Sequence, residues 1–379
     1  SNKMNGLAPE LKNLKVILVH DWLTGMRGGE RVLEILCRAF PEAPLYTLLH
    51  DRDAVSPEIN SHPVITSWLQ SVPGIFRHYR NFLPFFPSAI ERLKAEGRFD
   101  LVISTSHCAA KGFIAPEGAR HLCYCFTPMR YAWVFYGEYF GKNPAKKAIL
   151  GPVLERLRHW DRESSSRVDR FATLSEHVRK RISDFYGRDA DVVYPPVNLE
   201  YWKPDHDGCG EPGAYDLVVS ALVPYKRIDI AVRACAQTGF PLKIAGTGTG
   251  LKKLRAQAGK NVEFLGRVSD QQLLGLYRHC RALVFPGEED FGLVPVEAQA
   301  CGRPVVALAR GGALETVIDG RTGILFREQS AEALAAALRE CAGREWDSKA
   351  IRANAERFSE QQFLAGLSGS IRKCLGTGK

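Results

Sequence analysis

Two carboxylates set eight positions apart, Glu289 and Glu297, are the residues of this 379-residue chain whose types and spacing point most directly to chemistry. They stand in GEEDFGLVPVEAQACG, Gly287 to Gly302, just after the apolar run Ala282 to Phe285. That run suits a buried strand, and Pro286-Gly287 ends it, so Glu289 falls on a loop. After Gly292 the positions Leu293, Val296, Glu297 and Ala300 recur at helical spacing, which puts Glu297 inside a helix packed on a sheet. The amides of Phe291, Gly292 and Leu293 then open that helix. Free N–H groups and the helix dipole favour a phosphate there, and Gly292 has no side chain to obstruct its approach. Two acids flanking a phosphate cradle suit a ligand that is part phosphate and part polyol, which describes a nucleotide sugar. The plainer alternative makes Glu289 a helix cap and Glu297 a solvated surface acid.

Other residues join this pattern. Lys226 and Arg227 follow the strand expected over Asp216 to Leu222 and precede a helix, a placement in which a point charge and a fork of donors can neutralise a diphosphate. Ordinary surface charge is the alternative. Gly246 and Gly248, in PLKIAGTGTGLKKL, permit close backbone approach to a nucleotide. In the first half, Lys15 to His20 reads as a strand, Gly25, Gly28 and Gly29 as its loop, and Glu30 to Phe40 as a helix. The glycine spacing is not G-x-G-x-x-G and no acid ends the following strand, which argues against a nicotinamide cofactor. Asp100 to His107 and Arg120 to Phe126 read as further strands. His107 and Thr127 to Arg130 lie at their carboxyl ends, where parallel sheets bind ligands.

The E-x7-E spacing, with EDFG, VEA and CGRPVV around it, resembles the donor site of retaining GT4-type glycosyltransferases of GT-B fold. HDWLTGMRGGERVLE resembles their first loop, and Gly311-Gly312 a loop near the donor. TSHCAAKG and TPMRYAW resemble a subgroup acting on bacterial surface polysaccharides, often as mannosyltransferases. The resemblance covers almost the entire chain and is strongest from Ser220 to Gly323. It implies an α/β architecture of two facing Rossmann-like domains with a cleft between them. The implied reaction moves a sugar, mannose from GDP-mannose, to a hydroxyl of a glycan or polyprenyl-diphosphate-linked glycan, with retention of configuration. From the residue reading and the resemblance together, His107, Glu289 and Lys226 are the expected catalytic residues. The expected donor contacts are Gly28, Gly29, Lys226, Arg227, Gly246, Gly248, Glu289, Phe291, Gly292, Leu293 and Glu297, and Thr127, Arg130 and Tyr131 are expected at the acceptor or cleft. Two positions depart from the pattern: Phe126 stands where a histidine is common, and Ala221 where an arginine is usual. They leave open whether His107 and Arg227 substitute, or whether the chain binds sugar nucleotides without turnover. A phosphorylase or epimerase is a further alternative.

The elements that must position these residues divide into residues 1–200, an acceptor-side domain, residues 201–357, a nucleotide-sugar domain, and a last helix within 358–379 that, as the resemblance implies, crosses back to the first. Asp205 to Gly213 is all turn-formers and reads as the linker. Apolar residues make up 45% and charged residues 25%, as in soluble globular proteins. No apolar run is long enough to cross a bilayer and the N-terminal stretch has no signal-peptide core, so a cytoplasmic location is expected. A net charge of +9 admits nucleic acid, anionic membrane or phosphorylated substrates as partners. The aromatics and cations form no nucleic-acid reader motif, so no nucleic acid is expected. Val72 to Arg98 interleaves aromatics with Arg77, Arg80 and other cations, a mixture suited to peripheral contact with an anionic membrane on its inner face. A buried helix pair with a basic outer face explains the same pattern. Ten cysteines without a C-x2-C pair read as buried reduced thiols, and since helix amides and Lys226 can stabilise a departing diphosphate, no metal or other cofactor is expected.

Overall fold

The computed structural model describes residues 6–133, 144–205 and 213–376, with backbone alone for 144–150. The chain divides into two compact units, Ser1–Pro195 with Glu360–Lys379, and Pro196–Ser359. Most of the expected linker, residues 206–212, lies outside the described residues.

The first unit is built on seven parallel strands: β1 (Val16–His20), β2 (Leu45–Thr47), β3 (Val64–Thr66), β4 (Leu101–Ser106), β5 (Arg120–Cys125), β6 (Arg170–Thr173) and β7 (Ala190–Val192). Their order is β3-β2-β1-β4-β5-β6-β7. β1 and β4 are buried at every position because helices cover both faces, which is why they read as unbroken apolar runs. The order reverses between β1 and β4, paired from Val16↔Leu101 to His20↔Thr105. Such a switch point opens a crevice beyond the strand ends. Helix Glu360–Leu375 packs on β5 and β6, where Phe363 meets Tyr124 edge-on at 5.6 Å.

The second unit repeats the plan with six parallel strands: β8 (Asp216–Val219), β9 (Leu242–Ala245), β10 (Val262–Gly266), β11 (Leu283–Phe285), β12 (Val305–Leu308) and β13 (Gly323–Phe326). The order is β10-β9-β8-β11-β12-β13, with its switch point between β8 and β11. Two Rossmann-like α/β units are therefore present, as the alternation of strands and helices predicts. Ser269 caps helix Asp270–His279 as its sequence suggests, accepting from the Gln272 N–H at 3.2 Å while Gln272 accepts from the Ser269 N–H at 2.8 Å.

Three local expectations need correction. The strand expected to reach Leu222 stops at Val219, because Pro224 starts a 3-10 turn, Pro224–Lys226, and Arg227 adopts left-handed backbone (φ 54°) before helix Ile228–Thr238. In Val72 to Arg98 the alternative of a helix pair gives way to three short helical segments, α-helical Ile75–His78, 3-10 Tyr79–Phe85 with Pro84 inside it, and α-helical Phe86–Glu91. Tyr79 and Phe86 enter the core while Phe76 and Phe85 stay exposed. β3 was not foreseen, being only three residues long. Nine cysteines are free and buried, and Cys209 lies outside the described residues.

Candidate active site

Both switch points carry the residues singled out from sequence. In the second unit, Lys226 ends the turn after β8 and Glu289 lies on the loop after β11. Lys226 Nζ and Glu289 Oε1 are 2.5 Å apart. The loops are held together by backbone. A Cβ at Gly287 would stand 2.8 Å from the Lys226 carbonyl oxygen, so the crossing admits only glycine. The Gly312 N–H donates to the Glu289 carbonyl at 2.8 Å, so the Gly311-Gly312 loop fixes the backbone that presents the acid.

Helix Leu293–Ala300 begins three residues beyond Asp290, with Gly292 as its cap at φ 88°. With no side chain at the cap position, the first backbone N–H groups of the helix can be approached by an anion, in the manner of helix N-termini that bind phosphate. The Phe291 ring is buried against Phe358 at 5.4 Å, so only its backbone can face a ligand. Glu297 lies inside the helix as its periodicity predicts, and its Oε2 accepts from Tyr277 Oη at 2.8 Å. Tyr277 is fully buried, and burial first, then the Glu297 charge, pushes its phenol well above the ordinary range, so it remains a donor. It orients Glu297 from behind and was not foreseen from sequence.

Gly246 and Gly248 lie under the β8 loop, where a Cβ would overlap the Ser220 and Leu222 carbonyls respectively. Arg227 is not gathered with Lys226 and Glu289. Its guanidinium bonds Asp229 at 3.1 and 3.2 Å and reaches Gln329 at 3.4 Å. Burial would raise the Asp229 carboxyl, but Arg227 and Arg233 outweigh it and hold the acid below its usual range.

In the first unit, Gly28 and Gly29 open helix Gly28–Ala39 after β1. A Cβ on Gly29 would stand 3.3 Å from the Phe126 ring and 3.6 Å from the His20 ring, so Phe126 closes over the glycine loop. His107 follows β4, and its Nδ1 lies 2.8 Å from the buried Asp21. Asp21, overlooked in the sequence, stands one residue past β1, 86 positions before its partner. Thr127 is buried and its Oγ1 accepts from Arg181 at 2.9 Å. Arg130 and Tyr131 open the short helix Arg130–Trp133. No cluster of metal-ligating side chains occurs among the described residues.

The model of Glycosyltransferase Family 4 matches residues 26–201, and that of Glycosyl transferases group 1 matches residues 211–358. The uncharacterized glycosyltransferase MJ1178 of Methanocaldococcus jannaschii is 31% identical over 223 residues, 57% of this chain and 62% of that protein. D-inositol 3-phosphate glycosyltransferase of Mycobacterium bovis is 33% identical over 263 residues, 62% of this chain and 55% of that protein. The matches thus span less than two thirds of these relatives' length. Anabaena HepE, solved in complex with UDP, shares the fold with a TM-score of 0.72 at 18% identity, over 95% of this chain and 100% of that one. With both units matched and both sheets in Rossmann order, the chain belongs to the GT4-type glycosyltransferases of GT-B fold.

Proposed function

We propose that the chain transfers a hexosyl group from a nucleotide sugar to a hydroxyl, with retention of configuration. The observation that carries this reading is the gathering of Lys226, Glu289 and the start of helix Leu293–Ala300 at one switch point. Glu297 stands farther down the same helix. The lysine and the helix amides meet the diphosphate where negative charge develops as it departs. Glu289 takes hydroxyls of the sugar, and Glu297, oriented by Tyr277, takes those of the ribose. The resemblance of TSHCAAKG and TPMRYAW favours GDP-mannose, and a glycan or polyprenyl-diphosphate-linked glycan acceptor in surface-polysaccharide synthesis. His107, Thr127, Arg130 and Tyr131 would serve that acceptor, and Gly28 and Gly29 the donor phosphate. UDP-linked hexoses belong in the same trial, since HepE has been solved with UDP-glucose.

A panel of nucleotide sugars, assayed for release of nucleoside diphosphate with and without acceptor, tests the reading. Lys226→Ala and Glu297→Gln are each expected to weaken donor use by about 1.5–3 kcal/mol, the worth of one charged hydrogen bond. If both keep wild-type donor kinetics, the site is wrong. A second reading, a binding protein without turnover, draws on the apolar Phe126 over the glycine loop. Tight nucleotide binding with neither transfer nor donor hydrolysis would favour it.

We further place the chain on the cytoplasmic face of a membrane. Trp68, Phe76 and Phe85 are exposed, with Trp68 and Phe85 edge to face at 6.3 Å, and Arg77 and Arg80 lie in the same stretch. Binding to anionic vesicles should weaken with salt and with Arg77 and Arg80 neutralised. Equal partition into neutral and anionic vesicles, or none into either, would remove this part.

A further inference from the structure

The end of β1 delivers a fully buried carboxylate, Asp21, to the loop after β4. Its oxygens accept the N–H groups of His107 at 2.6 Å, Cys108 at 3.1 Å, Ala109 at 2.6 Å and Ala110 at 2.7 Å. Oδ2 also lies 2.8 Å from Nδ1 of His107. Burial alone would raise this acid; a protonated His107, by charge and hydrogen bond, and then the His20 charge lower it well below its usual range, and with His107 neutral the four loop N–H groups still face the carboxylate. Surrounded by donors, Asp21 can only accept, because an added O–H would point at an N–H. The ring nitrogen facing it must therefore carry a proton. Neutral imidazole has one N–H and one bare nitrogen, so the bare one is Nε2.

The ring's remaining edge accounts for its exposure. Asp21 has none and the His107 side chain keeps 31%, while the Trp22 ring, edge-on at 4.5 Å, sets the plane. Of the neighbouring ionisable groups, His20 also acts on Asp21 through its charge, and its Nε2 lies 3.8 Å from Glu30. Lys111 pairs with Asp161 at 2.5 Å, Glu30 accepts the Arg27 N–H at 3.1 Å, and His20 Nδ1 lies 2.7 Å from Thr105 Oγ1.

We propose that Asp21 is a positioning residue: it locks His107 in the Nδ1–H tautomer and turns a bare Nε2 outward to accept a hydrogen bond from a carbohydrate hydroxyl. The hydroxyl rests on the transferase reading, but the tautomer does not. An acid that fixes an imidazole in this way acts through orientation and without itself being protonated.

The test is the imidazole 15N spectrum of wild-type protein, with His107 assigned by loss of its signals in His107→Gln. In its neutral form, His107 should show protonated Nδ1 and bare Nε2. An Nε2–H tautomer would overturn the proposal whether or not transfer activity is found. Adding GDP-mannose alone, then a mannose-terminated glycan acceptor alone, should shift Nε2 with one of them, which tells whose hydroxyl is bound. A shift with neither, from a protein that turns over, would overturn the outward role. In Asp21→Asn shown to be folded, the amide can offer N–H to the ring, so the Nε2–H form should grow. There kcat should fall about 10- to 100-fold with donor KM nearly unchanged. A carboxylate that only braced the loop would leave the tautomer as in wild type, and that result in the folded variant would also sink the proposal. Should Asp21→Asn not fold, the wild-type spectrum still decides.

Discussion

Glu289→Gln separates two roles that the loop after β11 combines. Glu289 is paired with Lys226 at 2.5 Å, and the two side chains are 25% and 16% exposed, so water reaches both. An ion pair in that setting is worth about 0–1 kcal/mol. Removing the charge frees the lysine, so affinity for a free nucleoside diphosphate should stay within about fivefold of wild type. The bonds from Glu289 to sugar hydroxyls are a separate quantity. A hydrogen bond to a charged group contributes about 1.5–3 kcal/mol. If it tightens as the glycosyl group becomes cationic, the loss falls on turnover, roughly a 10- to 150-fold drop in kcat. The assay measures kcat, donor KM, nucleotide affinity and melting temperature on one preparation. Helix capping as the sole role of Glu289 predicts a lower Tm and normal turnover. A variant that melts early yet turns over normally when folded refutes the assignment. So does one that loses nucleotide affinity more than tenfold with kcat unchanged.

Three further outcomes follow from the geometry. Tyr277→Phe removes the 2.8 Å bond to Glu297 and should cost about 0.5–1.5 kcal/mol in donor binding, seen as a rise in donor KM with kcat little changed; an unchanged KM would contradict the orienting role. Gly248→Ala drives a Cβ into the Leu222 carbonyl and should destabilise by about 1–3 kcal/mol in urea unfolding, whereas a neutral result would mean the turn is free to open. His121 is fully buried, with Nε2 on Ser104 Oγ at 2.8 Å and Nδ1 unpartnered, and burial lowers its pKa to about 4. Unfolding restores an ordinary value near 6.5, so between the two the unfolded chain binds a proton that the folded chain does not. Stability from this group is whole above pH 6.5 and falls as pH drops toward 4, by about 1.4 kcal/mol per unit. His121→Asn should flatten that slope between pH 6.5 and 5, and parallel slopes would refute the argument.

The architecture was legible because parallel strands covered on both faces read as apolar runs and breakers end them: KVILVH, DLVISTSH and ALVF each mark a strand. Periodicity also placed Glu289 on a loop and Glu297 in a helix. What periodicity cannot supply is which strand ends meet. Asp21 and His107 are joined only because β1 and β4 are neighbours at a switch point, and Tyr277 reaches Glu297 only across packed helices. The carboxylate in VHDW stood in plain view, and a buried acid at a strand end beside a histidine-bearing loop was the signal available. The pattern of Val72 to Arg98 left two readings open, and only packing shows that Tyr79 and Phe86 are buried while Phe76 and Phe85 are exposed on short helical segments around Pro84.

The most direct test of the central claim is to follow the reaction by 1H NMR, with an α-linked nucleotide hexose and a hydroxyl-bearing glycan acceptor. The account predicts that an α-linked product and free nucleoside diphosphate appear at the same rate, and that both fall together in Lys226→Ala, by roughly 10- to 150-fold. A β-linked product, a sugar phosphate in place of the glycoside, or diphosphate released without any new glycosidic bond would contradict it.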